Sequence, residues 1–128
     1  IWSEFISRTI TSNVWIGAGM TTDSEFQLPE LLIQHPHSVF IATFYYGGLI
    51  GLALHLGLIL RAIQSLAGMG QNNVRLLGSM LLAFGLTATL LDGNELIEKV
   101  NYLWFLVWLP VGLAMIGAKH EFSGRTTN

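Results

Sequence analysis

An all-α, polytopic membrane fold is what the sequence predicts, and three observations predict it. Charged residues make up only 11% of the 128 residues while 52% are hydrophobic; soluble domains carry roughly 25% charged residues. The mean hydropathy is +0.54. The apolar residues gather in three long runs, at 38–60, 74–91 and 101–118, each near the ~20 residues that a helix needs to cross a ~30 Å hydrocarbon core. Three transmembrane helices are therefore expected, with a short interfacial helix before them.

That first helix is read in residues 1–19. Trp2, Phe5, Ile6 and Ile10 fall near one helical face and Ser3, Glu4, Ser7 and Arg8 on others, the pattern of an amphipathic helix at a membrane interface with Trp2 as its anchor. A helix packed on segments upstream fits the same pattern. Gly17-Ala18-Gly19 reads as a turn; with no GxGxxG around it, it is not a phosphate fingerprint. Residues 20–37 are polar and read as an extramembrane loop, with a helical turn at Pro29 to Ile33. Its acids, Asp23, Glu25 and Glu30, read as solvated charges.

The first span starts after His35-Pro36-His37-Ser38. From Val39 to Leu60 no side chain is charged, about 22 residues, or ~33 Å of helix. Ser38 stands where an N-cap is needed, and Arg61 ends the run. Gly47 and Gly51 form a GxxxG pair, and His55 continues the same row. Such a row lets a second helix approach closely in lipid, and Gly78, Gly85 and Thr89 of the second span are expected to meet it. Residues 62–73 read as a loop, Asp92-Gly93-Asn94 as a turn and Glu95–Lys99 as a polar link. In the third span Tyr102, Trp104 and Trp108 form an aromatic belt, and Pro110 should kink the helix. Residues 119–128 form a polar tail.

Charge sets the orientation. Arg61, Arg75, Lys119 and Arg125 fall on one side of the three-span arrangement, while Asp92, Glu95, Glu98, Lys99 and the acidic loop before His35 fall on the other. The positive-inside rule puts the arginine side in the cytoplasm, so the His37 loop faces outward. The first residue is Ile1 and no charged leader pattern precedes the helices, so the chain is expected to be the C-terminal part of one membrane domain of a longer protein.

Four histidines and no cysteine limit the chemistry. His35 and His37 can face one side of an extended segment, but two ligands at that spacing match no metal motif, and no metal is expected. His37 and His55 would stand about 27 Å apart along a straight helix, too far to share a haem. An imidazole at a helix mouth can take a proton from a hydroxyl or donate to a phosphate oxygen near neutral pH. On residue chemistry alone, a histidine that simply bonds to its neighbours is the commoner case. His55, inside the span, is expected to bond across to another helix; His120 is expected in solvent.

The stretch from His37 resembles the C-terminal signature of the O-antigen ligase and O-antigen polymerase superfamily. That signature is a His, then Asn, Ser or Gln, nine residues, and Gly-x-x-Gly/Thr/Tyr. Here it reads His37, Ser38, Val39 to Gly47, and Gly48-Leu49-Ile50-Gly51. Trp15-Ile16-Gly17-Ala18-Gly19 is similar to the hydrophobic-Gly-x-Gly step that precedes the histidine loop. The resemblance covers most of the chain, though only the His-to-Gly stretch is specific. It implies an inner-membrane glycosyltransferase of the GT-C type. Such a ligase moves polysaccharide from undecaprenyl diphosphate to lipid A–core on the periplasmic face, with no cofactor or metal. It implies that His37 is the catalytic residue, as general base or as stabiliser of the leaving diphosphate. His35 and Ser38 would bind substrate, and Gly48 and Gly51 would be structural. Arg8 is not given the diphosphate-holding role, which lies with arginines upstream. The partners implied are the lipid-linked glycan donor, lipid A–core, membrane lipids and upstream helices, with no nucleic acid. Two rivals share these residues: a polymerase or protein O-oligosaccharyltransferase with a different acceptor, and a non-catalytic membrane scaffold in which His37 only caps a helix.

Overall fold

The computed structural model describes residues 1–22, 25–28, 31–33, 36–91, 105–106 and 108–115. Its elements are α1 (Trp2–Asn13), β1 (Phe26–Leu28), β2 (Leu31–Ile33), α2 (Val39–Gly68) and α3 (Asn73–Leu91), with helical residues again at 105–106 and 108–115. The architecture is helical, as expected, except for one short antiparallel hairpin in which Phe26 pairs with Ile33 and Leu28 with Leu31. A helical turn over Pro29 to Ile33 was the expectation there; Leu31–Ile33 is instead a strand. A single isolated helical turn is costly to nucleate. Leu28, as the residue before a proline, is biased towards extended backbone, and pairing satisfies the backbone groups on the facing edges of the two triplets.

Among the described residues two helices are long and apolar enough to cross a membrane, Val39–Gly68 and Asn73–Leu91, and only 22% of each apolar window is buried. A core helix of a water-soluble domain would be mostly buried. Leu54, Leu60, Leu76, Met80 and Phe84 lie exposed on these helices, an arrangement costly in water and neutral in hydrocarbon. The chain is thus built for a membrane. Of the expected third span, residues 105–106 and 108–115 are helical; Tyr102, Trp104 and the tail with Lys119, His120 and Arg125 lie outside the described residues.

The largest departure from the expected spans is in α2. Gly48 has φ 60 and ψ −157, a region that is essentially confined to glycine. It divides α2 into an arm at 39–47 and an arm at 49–68. The two arms fold back on each other. Phe40 and His55 stack with ring centroids 5.1 Å apart, and Thr43 Oγ1 lies 3.1 Å from His55 Nδ1; in a straight helix 15 and 12 residues would separate these pairs by about 22 and 18 Å, respectively. So 38–60 is not one straight span. The second arm, about 20 residues and ~30 Å long, runs on to Gly68 through much of the expected 62–73 loop, and Arg61 lies inside it rather than at its end.

Two compact units are present: Ile1–His55 with Ala88–Glu98, and Leu56–Thr87 with Lys99–Asn128. The first unit has a core of Phe5, Ala42, Tyr45 and Tyr46, with Phe5 edge-on to Tyr45 at 5.1 Å. Thus α1 buries Phe5 against 39–47, with Thr9 also buried, while Trp2 and Ile10 stay largely exposed. Its Arg8 pairs with Glu4 at 2.9 Å in an exposed i, i+4 bridge.

The second unit packs Ala62, Leu66 and Met69 against Leu82, Val111 and Ala114. Ser65 Oγ donates to Ala114 O at 2.7 Å. Asn72 caps α3: its Oδ1 accepts the Arg75 N–H at 2.8 Å, the geometry of a good N-cap. Arg75 Nη1 donates to Met69 O at 3.0 Å, closing the turn between α2 and α3. Pro110 is buried and has no N–H for the Leu106 carbonyl four residues earlier. That carbonyl lies against Gly85, where a Cβ would overlap it. Gly78 meets the Leu66 side chain, Gly85 meets Leu106, Gly51 meets Thr43, and the Cβ position of Gly47 is open.

Candidate functional site

The break at Gly48 creates the problem that the rest of the first unit solves. Interrupting a helix leaves carbonyls without partners before the break and N–H groups after it. Here residues 14–19 cross the break and bond to both sides. Ala18 N donates to Tyr45 O at 2.8 Å and Gly19 N to Tyr46 O at 3.0 Å; Leu49 N donates to Val14 O at 2.9 Å and Ile50 N to Trp15 O at 3.1 Å. The approach is so close that only glycine fits at either crossing point. A Cβ on Gly17 would stand 2.5 Å from Tyr45 O, and one on Gly48 would stand 2.5 Å from Trp15 C and O. Gly17 and Gly19 have φ of 69 and 90, respectively, consistent with the expected turn. The Trp15–Gly19 step and the Gly48–Gly51 step are thus two halves of one backbone joint.

His37 sits before this hairpin, exposed, with φ 55. Among the described residues it is the non-glycine residue with positive φ. Histidine is one of the residue types that tolerate this region, yet the conformation costs energy and persists only where neighbours impose it. They do so from both sides. Pro36, immediately before, is buried and its carbonyl accepts the Trp2 Nε1–H at 2.8 Å. Ser38, immediately after, is buried, and its carbonyl accepts the Ala42 N–H at 2.9 Å. Ser38 therefore holds the N-cap position of α2, with Val39 as the first helical residue.

One turn further on, Thr43 Oγ1 donates to Val39 O at 2.7 Å and contacts His55 Nδ1 at 3.1 Å, both buried. A bond across to a second helix is what the place of His55 in a membrane run suggests; among the described residues its partner is in the other arm of its own helix. Of the four residues 35–38, His35 lies outside the described residues, His37 is exposed, and Pro36 and Ser38 are buried. Among the described residues no three His, Cys, Asp or Glu side chains gather as a metal site would need.

Sequence reasoning missed Trp2, Thr43 and His55 as parts of this site. Trp2 contacts a residue 34 positions away and His55 one 12 positions away, and neither spacing has a local signature. The glycines were the available signal: two Gly-rich steps that neither a continuous helix nor a plain loop requires.

No protein-family model matches the chain, and no solved structure does. A curated protein of Pseudomonas aeruginosa described as "O-antigen ligase" is 34% identical to it over 119 residues. Over most of its length, this chain is similar to an O-antigen ligase. The match takes in 88% of the chain and 28% of the ligase, so the chain spans under a third of the relative. The resemblance first seen at His37–Gly51 thus extends well beyond that signature.

Proposed function

We propose that the chain is part of a membrane glycosyltransferase of the O-antigen ligase kind. It transfers a polysaccharide from undecaprenyl diphosphate to lipid A–core at the outer face of the bacterial inner membrane, with His37 as its general base. The acceptor hydroxyl attacks the anomeric carbon of the first donor sugar. Its proton passes to the His37 imidazole, and the bond to the diphosphate breaks, releasing undecaprenyl diphosphate. The observation that carries this reading is the conformation of His37: an exposed histidine held at φ 55 by buried neighbours on both sides. Strain of that kind gathers at functional sites. The start of α2 lies two residues on, and a helix start favours the anionic diphosphate. His35 and Ser38 flank the base; Ser38, being buried, meets substrate only through the position it gives His37. Gly48 and Gly51 keep the hairpin closed.

The test is His37→Ala and His37→Asn in the full-length protein, in cells lacking their own ligase. Polymer attached to lipid A–core is read on a gel and protein level by blot. Asparagine tolerates the left-handed backbone but has no basic nitrogen. Both variants should lose attachment by about 10²–10⁴-fold, the usual weight of a general base, at normal protein level. Retained attachment in His37→Asn would remove the base.

A further inference from the structure

Thr43 has one hydroxyl hydrogen, and the 2.7 Å bond to Val39 O uses it. The 3.1 Å contact between Thr43 Oγ1 and His55 Nδ1 therefore needs its hydrogen from the imidazole. This puts a hydrogen on His55 Nδ1 and sets up one continuous chain, His55 Nδ1–H to Thr43 Oγ1–H to Val39 O. Both side chains are buried, His55 at 4% exposure and Thr43 at 8%. Phe40 stacks on the imidazole at 17° between planes and keeps the ring from turning. Gly51, one turn before His55, lets the second arm approach, with its Cβ position 3.4 Å from Thr43 O. Val39, the end of the chain of bonds, is two residues from His37. The Thr43–His55 contact is a side-chain hydrogen bond that joins the two arms of α2.

We propose that His55 is a positioning residue for the transfer reaction: by donating from Nδ1 to Thr43 it closes the hairpin about Gly48 and holds the arm that carries His37. The positioning role rests on the glycosyl-transfer reading above; the hydrogen-bonded clamp does not.

Conservative replacements separate the clamp from mere packing. The side-chain amide nitrogen of asparagine can take the place of Nδ1, whereas that of glutamine takes the place of Nε2. In the full-length protein, His55→Asn should keep attachment within about threefold of wild type. His55→Gln, His55→Ala and Thr43→Val should each lose about tenfold or more, a loss worth ~1.4 kcal/mol per factor of ten. The double variant His55→Ala/Thr43→Val should be no worse than either single one, since both remove the same bond. A merely structural histidine would show no preference for the asparagine nitrogen, so equal behaviour of the Asn and Gln variants, or rescue by Gln alone, would overturn the proposal. A second readout does not depend on activity. Nitrogen-15 NMR of histidine-labelled protein in lipid should show the His55 ring protonated at Nδ1 in wild type, with that signal shifted in Thr43→Val. An Nε2–H tautomer would overturn the clamp whatever the variants do. If wild type attaches no glycan, the glycosyl-transfer reading and the positioning role fall together, and the tautomer decides the clamp on its own.

Discussion

Gly47 and Gly48 are neighbours in sequence and should respond in opposite ways to the same added methyl group. At Gly48 an alanine must hold φ 60 and ψ −157, which costs about 1–3 kcal/mol. Its Cβ would also stand 2.5 Å from Trp15 C and O and 2.6 Å from Gly17 N, so residues 14–19 must withdraw. Losing even two of the four backbone bonds that they make across the break adds about 0.5–1.5 kcal/mol each. The sum is about 2–6 kcal/mol, set against a native stability of about 5–15 kcal/mol. At Gly47 the Cβ position is open and the backbone is helical, so alanine should be neutral or add up to ~1 kcal/mol through helix propensity. The assay is denaturant unfolding of the full-length protein in mixed micelles, with Gly47→Ala and Gly48→Ala compared to wild type. If the two variants unfold alike, or if Gly47→Ala is the worse, the backbone joint is wrong and a GxxxG contact at Gly47 is the better account.

Two further outcomes follow from the second unit. Gly85→Ala places a methyl group into the Leu106 carbonyl and should cost about 1–3 kcal/mol as overpacking, while Gly57→Ala, whose Cβ position is open, should not; the same micelle unfolding assay reads both. Asn72→Ala removes the side-chain acceptor of the Arg75 N–H and should cost about 0.5–2 kcal/mol, with Asn72→Asp retaining most of the stability.

Much of the helix layout was legible in the composition. The second apolar run, read as 74–91, forms α3 at Asn73–Leu91, because a run of that length and hydropathy has few alternatives once in lipid. The N-terminal amphipathic stretch is α1, but it packs by Phe5 and Thr9 and leaves Ile6 and Ile10 outward; which stripe of a short helix faces a partner depends on the partner. The error in the first span has a clear cause. A glycine in an apolar run serves equally as a small packing residue or as a point of positive φ, and hydropathy does not distinguish them. Reading Gly47, Gly51 and His55 as one row assumed the helix continued through Gly48.

At the candidate site, the sequence singled out His37 by a His-to-Gly spacing that resembles a known superfamily. The strain on His37 was not legible, because it is imposed by Trp2 through Pro36 and by the buried start of α2. By itself, then, the sequence determined that the chain is helical, belongs in a membrane and carries a histidine ahead of a Gly-Gly step. Those properties follow from local composition and short spacings. Tertiary structure alone decided that α2 folds back at Gly48, that residues 14–19 complete its broken backbone bonds, and that Thr43 meets His55. Each of those contacts joins residues that lie far apart along an unbroken helix or chain, and they come together only once the turn has formed.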